Sequence, residues 1–259
     1  MNETRIMMGM PITVEVVDAS VTTEAFDAVY AYFDYVDKKF STYKDNSEIS
    51  RINHGELTIG HASDDMRLVF ELAEQTRLET DGYFDIEHDG ILDPSGLVKG
   101  WAVYNAAEIL HEKGFQHYFI DAGGDIQVAG RNYSGQNWRV GIRNPFNIHE
   151  IVKVIALDNC GVATSGTSIR GQHIYNPTGT DAVMDDIISL TVIGPNVYEA
   201  DRFATAAYAM GRMGIGFIEQ LDGFEGYLID QQGRATLTSG FGKYVVPTLA
   251  VDEAPVSSR

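Results

Sequence analysis

Five strand-like segments follow one another between residues 115 and 166 with no helical pattern among them, and this run most constrains the fold. Helical patterns, with apolar residues three and four positions apart, stand outside the run, at residues 22–41, 64–80, 98–114 and 199–210. A doubly wound parallel sheet needs a helix between successive strands. The order therefore predicts an α+β protein with mixed or antiparallel sheets and flanking helices.

Composition and charge restrict the class of protein. With 259 residues, 44% of them hydrophobic, the chain can form one large domain or two small interlocked lobes. Its net charge of -18 argues against general affinity for nucleic acid or anionic membranes. Cys160 is the only cysteine, so no intramolecular disulfide can form. Because the N-terminus lacks a secretory signal and no apolar run reaches the length of a membrane span, we expect a cytoplasmic protein without membrane insertion.

A carboxylate and a hydroxyl share one face of the helix predicted near residue 199. Asp201 and Thr205 are four positions apart in the segment EADRFATAAYAMG. Two such oxygen ligands suit Mg²⁺ bound together with substrate phosphates. The alternative is that Asp201 is a first-turn acid interacting with the helix dipole and Thr205 is a packed helical residue.

Three other segments carry functional groups and each has a simpler explanation. DPSGLVKGWAV, residues 93–103, places an aspartate and a lysine around a glycine, or is only a turn before a helix. DAGGDI, residues 121–126, interrupts a strand pair with two glycines, as an ordinary hairpin does. ATSGTSIRGQHIYNPTG, residues 163–179, is rich in hydroxyls and contains a histidine, but solvated loops have the same composition.

In this order, the four segments resemble the FAD:protein FMN transferase family of the ApbE type. The resemblance starts at MMGMPITVEV, includes FSTYKDNSEISRIN and GYFDI, and continues to about Val246. It implies two interlocked α+β lobes that form one unit over residues 1–246, with a polar tail at 247–259. Many members are exported lipoproteins, whereas this sequence has neither a signal peptide nor a lipidation cysteine and is similar to a short form.

The resemblance assigns roles to single residues. It implies that the metal, Mg²⁺, is held by Asp201, Thr205 and the backbone carbonyl of Gly96, and that Lys99 neutralises phosphate charge. The residues that match FAD contacts are Met8, Tyr43, Phe84, Asp85, Asp93, Lys99, His173, Ile174 and Tyr175. The chain departs from the family where Glu87 replaces a threonine, where the loop after Asp85 is short, and where Asn176 replaces an aspartate.

The implied reaction moves FMN from FAD to a Thr or Ser hydroxyl of an acceptor protein and releases AMP. His173 is the candidate base, since imidazole titrates near neutrality, and Asp201 is less suited because it would bind the metal. Asp201 and Lys99 would be catalytic through charge stabilisation. The position of Asp125 in the segment DAGGDI indicates a turn or scaffold residue and not a catalytic one. The sequence identifies neither the acceptor nor an oligomeric state.

Other functions remain open at this point. With water as the attacking group, the same site would be a Mg²⁺-dependent FAD pyrophosphatase that forms FMN and AMP. A non-catalytic FAD-binding protein would have no reason to combine Asp201, Thr205 and Lys99. A serine hydrolase built on Ser165 and His173 is a distant alternative, because the segment TSGTS lacks the G-x-S-x-G turn.

Overall fold

The computed structural model describes residues 1–166, 177 and 186–247. The helices are α1 Thr23–Phe40, α2 Glu48–Asn53, α3 Asp64–Glu79, α4 Ser95–Glu112, α5 Val197–Ala209 and α6 Gly214–Glu219. The strands are β1 Asn2–Met7, β2 Met10–Val16, β3 Glu87–His88, β4 Ile91–Leu92, β5 Tyr118–Ala122, β6 Asp125–Ala129, β7 Trp138–Asn144, β8 Asn147–Leu157, β9 Gly161–Gly166, β10 Ile187–Gly194, β11 Glu225–Asp230 and β12 Ala235–Leu237.

Among the described residues, eight strands form one sheet in the order β1-β2-β5-β6-β9-β10-β11-β12. Every neighbouring pair in this sheet is antiparallel. The prediction of an α+β fold with antiparallel sheets is therefore confirmed. Hairpins join β1 to β2, β5 to β6 and β11 to β12, and longer segments connect the other neighbouring strands.

The two faces of the sheet are covered by different structures. Alternation along β6 sends Asp125 and Gln127 to one face and Ile126 and Val128 to the other. The first face packs against helices α1, α4, α5 and α6 through two apolar clusters. The second face is covered by β7 and β8, which pair only with each other in the described strands and form a two-stranded ribbon. Cys160 is buried in the cluster beneath this ribbon, as its apolar setting predicts.

Several turns meet at one end of the sheet, which we call the upper end. The β5–β6 turn consists of Gly123 and Gly124, whose φ angles of 63° and 103° lie in the region that favours glycine. The β1–β2 turn lies beside it, since Ile12 pairs with Ala122. Strand β9 ends at the same end, because Val162 pairs with Ile126 and the chain runs from there toward Gly166.

The structure adds short elements that the sequence patterns do not indicate. Strand β1 is exposed on alternate residues and only partly buried on the others, so its apolar content is low. Helix α2 has six residues, and β3 and β4 have two each. The helix that carries Asp201 begins at Val197 and not at residue 199, because Asn196 caps it and accepts a hydrogen bond from Glu199 N at 2.9 Å.

No helix in the part of the chain that the structure describes is long and apolar enough to cross a bilayer.

Candidate functional site

Helices α4 and α5 touch where Gly100 faces Asp201. The backbone N–H of Gly100 donates a hydrogen bond to Asp201 Oδ2 at 2.8 Å. A Cβ atom at position 100 would lie 2.6 Å from the Cβ of Asp201 and 2.8 Å from the carbonyl oxygen of Val197, so only glycine allows this approach. Asp201 lies in the second turn of α5, where it contacts a neighbouring helix. The interpretation as a first-turn acid is therefore wrong.

One turn further along α5, Thr205 reaches the start of α4. Its Oγ1 donates a hydrogen bond to the carbonyl oxygen of Gly96 at 3.2 Å. Phe84 packs beside this contact, since its ring lies 3.4 Å from the position of a Cβ on Gly96. The i and i+4 spacing on one helix thus brings Asp201 and Thr205 against two turns of α4.

Lys99 extends from α4 toward the upper end of the sheet. Its Nζ lies 2.6 Å from Asp125 Oδ2 in an ion pair that is almost fully buried. The other oxygen of Asp125 accepts a hydrogen bond from Thr164 N of β9 at 3.3 Å. Asp125 is therefore more than a turn residue, because it fixes the charged end of Lys99. Sequence reasoning missed this pair, whose partners are 26 positions apart along the chain.

The cluster holds more negative than positive charge. Burial and the nearby Asp125 together raise the pKa of Asp201 to about 8, against the opposing effects of Lys99 and the Gly100 N–H. Burial also raises the pKa of Asp121, at the β5–β6 turn, and Asp125 adds to that shift. One ammonium group, that of Lys99, contacts Asp125 and acts electrostatically on Asp121 and Asp201. Such a site favours an additional cation.

The residues present suit a hard divalent cation. Asp201, Thr205 and the carbonyl of Gly96 supply one carboxylate, one hydroxyl and one carbonyl oxygen. The 3.2 Å between Thr205 Oγ1 and the Gly96 oxygen is close to the separation of about 3 Å between adjacent ligands of an octahedral Mg²⁺. Within the described residues no three His, Cys, Asp or Glu side chains form a metal-binding group. The donor set therefore consists of few protein ligands, which leaves positions for phosphate oxygens and water.

Other predicted FAD contacts lie around this cluster. Met8 is partly buried in the β1–β2 turn at the upper end, with a φ of 51°. Asp93 Oδ1 accepts a hydrogen bond from Ser95 N at 3.0 Å, so it belongs to the turn that precedes α4. Asp85 accepts a hydrogen bond from Glu87 N at 2.9 Å. Tyr43 is 96% exposed and does not contribute to the buried cluster.

The predicted contacts His173, Ile174 and Tyr175 lie outside the described residues. They follow β9, whose described part ends with Ser165 and Gly166 at the upper end. Their assignment as base and flavin contacts stays a prediction. Ser165 lies inside β9, opposite Leu190 of β10, and is buried.

The chain is similar to a known protein family over the residues that form this cluster. The ApbE family model matches residues 8–91 and 87–228, which together include most of the chain and all of the described cluster. The chain belongs to the ApbE family. Phe84, Gly96, Lys99, Asp125, Asp201 and Thr205 all lie inside the matched ranges.

Curated relatives share this family. A protein named FAD:protein FMN transferase from Salmonella typhimurium is 22% identical over 289 aligned positions, which cover 88% of this chain and 83% of that protein. A Vibrio cholerae protein of the same name is 30% identical over 129 residues, covering 46% of this chain and 39% of that protein. The chain thus spans well under half of this second ApbE relative in the alignment.

Solved ApbE structures have the same fold. The flavin transferase ApbE from Vibrio cholerae superimposes with a TM-score of 0.81 at 20% identity, covering 94% of this chain and 98% of that chain. The ApbE protein from Thermotoga maritima gives a TM-score of 0.82 at 18% identity, with 95% and 99% covered. Because these identities do not exceed 20%, the similarity shows that the fold is shared and nothing more.

Proposed function

We propose that this ApbE-family chain is an FAD:protein FMN transferase that moves FMN from FAD to a Thr or Ser hydroxyl of an acceptor protein and releases AMP. The observation that carries the proposal is the convergence of Lys99, Asp201, Thr205 and the Gly96 carbonyl between two helices and one end of the sheet. A lysine and a set of hard oxygen ligands at one place suit a pyrophosphate substrate. The names of the curated relatives support the same reaction.

Mg²⁺ would be held by Asp201, Thr205 and the Gly96 carbonyl, and when bound it would supply positive charge to the pyrophosphate. Lys99 would supply an ammonium group to a phosphate oxygen, with Asp125 fixing its position. The ring of Phe84 and the Met8 turn would offer apolar surface to the flavin or adenine. Asp85, Asp93, Ile174, Tyr175 and Tyr43 are the remaining proposed contacts.

The chemical step is a transfer of a phosphoryl-linked group. The acceptor hydroxyl oxygen forms a bond to the phosphorus of the FMN half, and the bond from that phosphorus to the bridging oxygen breaks, so AMP leaves with the bridging oxygen. His173 would accept the hydroxyl proton. Lys99 would stabilise the charge that develops on the phosphate, and most of the catalytic effect would come from positioning and electrostatics.

Substitution of Asp201 tests the assignment of the metal site. We expect Asp201→Ala to abolish Mg²⁺-dependent AMP release from FAD, because the substitution removes the only charged ligand proposed for the metal. The circular dichroism spectrum should stay that of the wild type. AMP release would be measured by chromatography at saturating FAD and limiting Mg²⁺. Wild-type turnover by Asp201→Ala would refute the metal site.

Product analysis separates the transferase from the other two functions. A transferase attaches flavin covalently to an acceptor, whereas a pyrophosphatase forms free FMN and AMP at the same rate with or without the acceptor. A non-catalytic FAD-binding protein leaves FAD intact. Fluorescence of the denatured acceptor after gel electrophoresis distinguishes covalent flavin from bound FAD.

A further inference from the structure

The β7–β8 ribbon extends beyond the core that it covers. Its lower part packs on the sheet through Trp138, Val140 and Ile155. The first six residues of β8, 147–152, are all exposed. We call residues 144–152 the ribbon tip.

The ribbon tip lies at the upper end of the sheet, where Lys99 and Asp125 also lie. Arg143, just below the tip, is close enough to Asp121 at the β5–β6 turn to oppose in part the rise that burial causes in the pKa of that carboxyl group. The Phe146 ring lies 3.7 Å from the position of a Cβ on Gly233, in the turn between β11 and β12. Strand β11 reaches the upper end at this turn, because Asp230 pairs with Ile187. The tip and the Lys99 cluster therefore face the same end from opposite sides of the sheet.

The ribbon carries three cationic side chains that form no close ion pair with a described carboxylate. The net charge is -18, yet no described carboxylate lies within 4.0 Å of Arg139, Arg143 or Lys153. Of the other Lys and Arg residues that the structure describes, only Lys113, at the far end of α4, shares this property. Three of the four unpaired cations are thus on one ribbon, which favours a negatively charged partner.

The ribbon tip also exposes apolar side chains. Phe146 is 56% exposed, Ile148 48% and Ile151 51%. Ile151 stands opposite Arg143 on the outer surface of the ribbon, so apolar and cationic groups adjoin each other. Large apolar side chains beside arginine are typical of protein interfaces. The phosphates of a nucleotide would bind the cationic groups but would not contact the apolar side chains on the outer side of the ribbon.

We propose that the ribbon tip, with Arg143 and Lys153, binds the acceptor protein through an acidic and apolar segment next to the hydroxyl that receives FMN. This inference rests on the proposed transferase function. Packed layers lie about 10 Å apart, a distance that about three extended residues span. An acceptor segment lying across the upper end of the sheet can therefore contact the ribbon tip and still present its hydroxyl near Lys99.

Transfer of FMN to two synthetic peptides tests the surface. Both peptides carry one central Thr and the same leucines, and the flanking charged residues are Asp and Glu in one peptide and Lys in the other. We expect wild-type protein to prefer the acidic peptide by about tenfold in kcat/KM at low salt, and the preference to decline from roughly 0.05 to 0.3 M NaCl. Arg143→Glu should raise the KM for the acidic peptide by about tenfold while the KM for FAD and the kcat stay unchanged.

Lys113→Glu is the matched control, since it makes the same change in net charge at an unpaired cation far from the upper end. It should alter the peptide KM by less than about twofold. Phe146→Ser should also raise the KM for both peptides without affecting FAD.

Three results would overturn the inference. They are equal kcat/KM for the two peptides with wild-type protein, unchanged peptide KM in both Arg143→Glu and Phe146→Ser, or a rise in the KM for FAD alone. Wild-type transfer to either peptide establishes the transferase function independently of the ribbon. Absence of transfer to both peptides, with intact FAD, would refute the proposed function and this inference with it.

Discussion

In the metal-free protein, Asp201→Asn should increase stability, and the increase should grow with pH. Asp201 is 4% exposed and lies near Asp125, and burial and that neighbour raise the pKa of its carboxyl group from 3.8 to about 8. Between these two pH values the folded protein retains a proton that the unfolded chain releases. The group therefore destabilises the folded state progressively as pH rises, and asparagine removes the effect while its side-chain oxygen can still accept the Gly100 hydrogen bond.

The size of the effect follows from proton linkage. One proton held only by the folded state changes the free energy of unfolding by roughly 1.4 kcal/mol for each pH unit. Between pH 5 and pH 7 the advantage of Asp201→Asn over wild type should grow by about 2–3 kcal/mol, which corresponds to roughly 5–10 °C in Tm for a chain of this size. Which carboxyl of the Asp125–Asp201 pair carries the proton does not alter this slope.

Urea unfolding of both proteins in EDTA at several pH values measures the slope. Asp230→Asn is the control, because that buried carboxylate accepts hydrogen bonds from Gln232 N and Arg234 N, both at 2.9 Å, and these bonds lower its pKa despite burial. Asp230→Asn should lower the free energy of unfolding relative to the wild type, and this difference should become smaller as pH falls. Mg²⁺ should then stabilise the wild type at pH 7 and leave Asp201→Asn unchanged. A stability difference that does not vary between pH 5 and pH 7 would refute the reasoning.

Three further substitutions test the cluster and the proposed base. Gly100→Ala should destabilise the protein by about 1–3 kcal/mol in urea unfolding, because its Cβ would collide with Asp201, whereas Gly216→Ala, which meets nothing within 4 Å, should not destabilise it. Lys99→Met should reduce FAD binding or turnover, measured by steady-state kinetics, more than Lys99→Arg does, and equal activity of Lys99→Met and wild type would contradict the need for positive charge. His173→Gln should flatten the fall in FMN transfer rate toward low pH with little change in FAD affinity, and a wild-type rate across roughly pH 5.5 to 8 would show that the histidine is not the base.

Local patterns predict the elements and the pairing of groups within a single helix. The i and i+4 spacing places Asp201 and Thr205 on one face of α5, and the structure brings that face against α4. The double glycine of DAGGDI predicts the β5–β6 turn, where both residues have positive φ. These features depend on a few adjacent residues, so sequence alone specifies them.

Contacts between segments that are distant along the chain could not be predicted from local sequence patterns. The bond from Gly100 to Asp201 joins positions 101 residues apart, and it depends on how two helices cross. The Lys99–Asp125 ion pair depends on the register of β6 under α4, which tertiary packing sets. Short elements such as α2 were missed because six residues carry too little periodicity.

The transferase account is tested most directly by the intact mass of an acceptor after incubation with this protein, FAD and Mg²⁺. Two versions of the acidic peptide are compared, one with the central Thr and one with Ala in its place. The account predicts that the Thr peptide gains the mass of one FMN moiety less water and that AMP appears in equal amount, while the Ala peptide stays unmodified. Free FMN and AMP with both peptides unmodified would contradict the account and would assign the site to FAD hydrolysis.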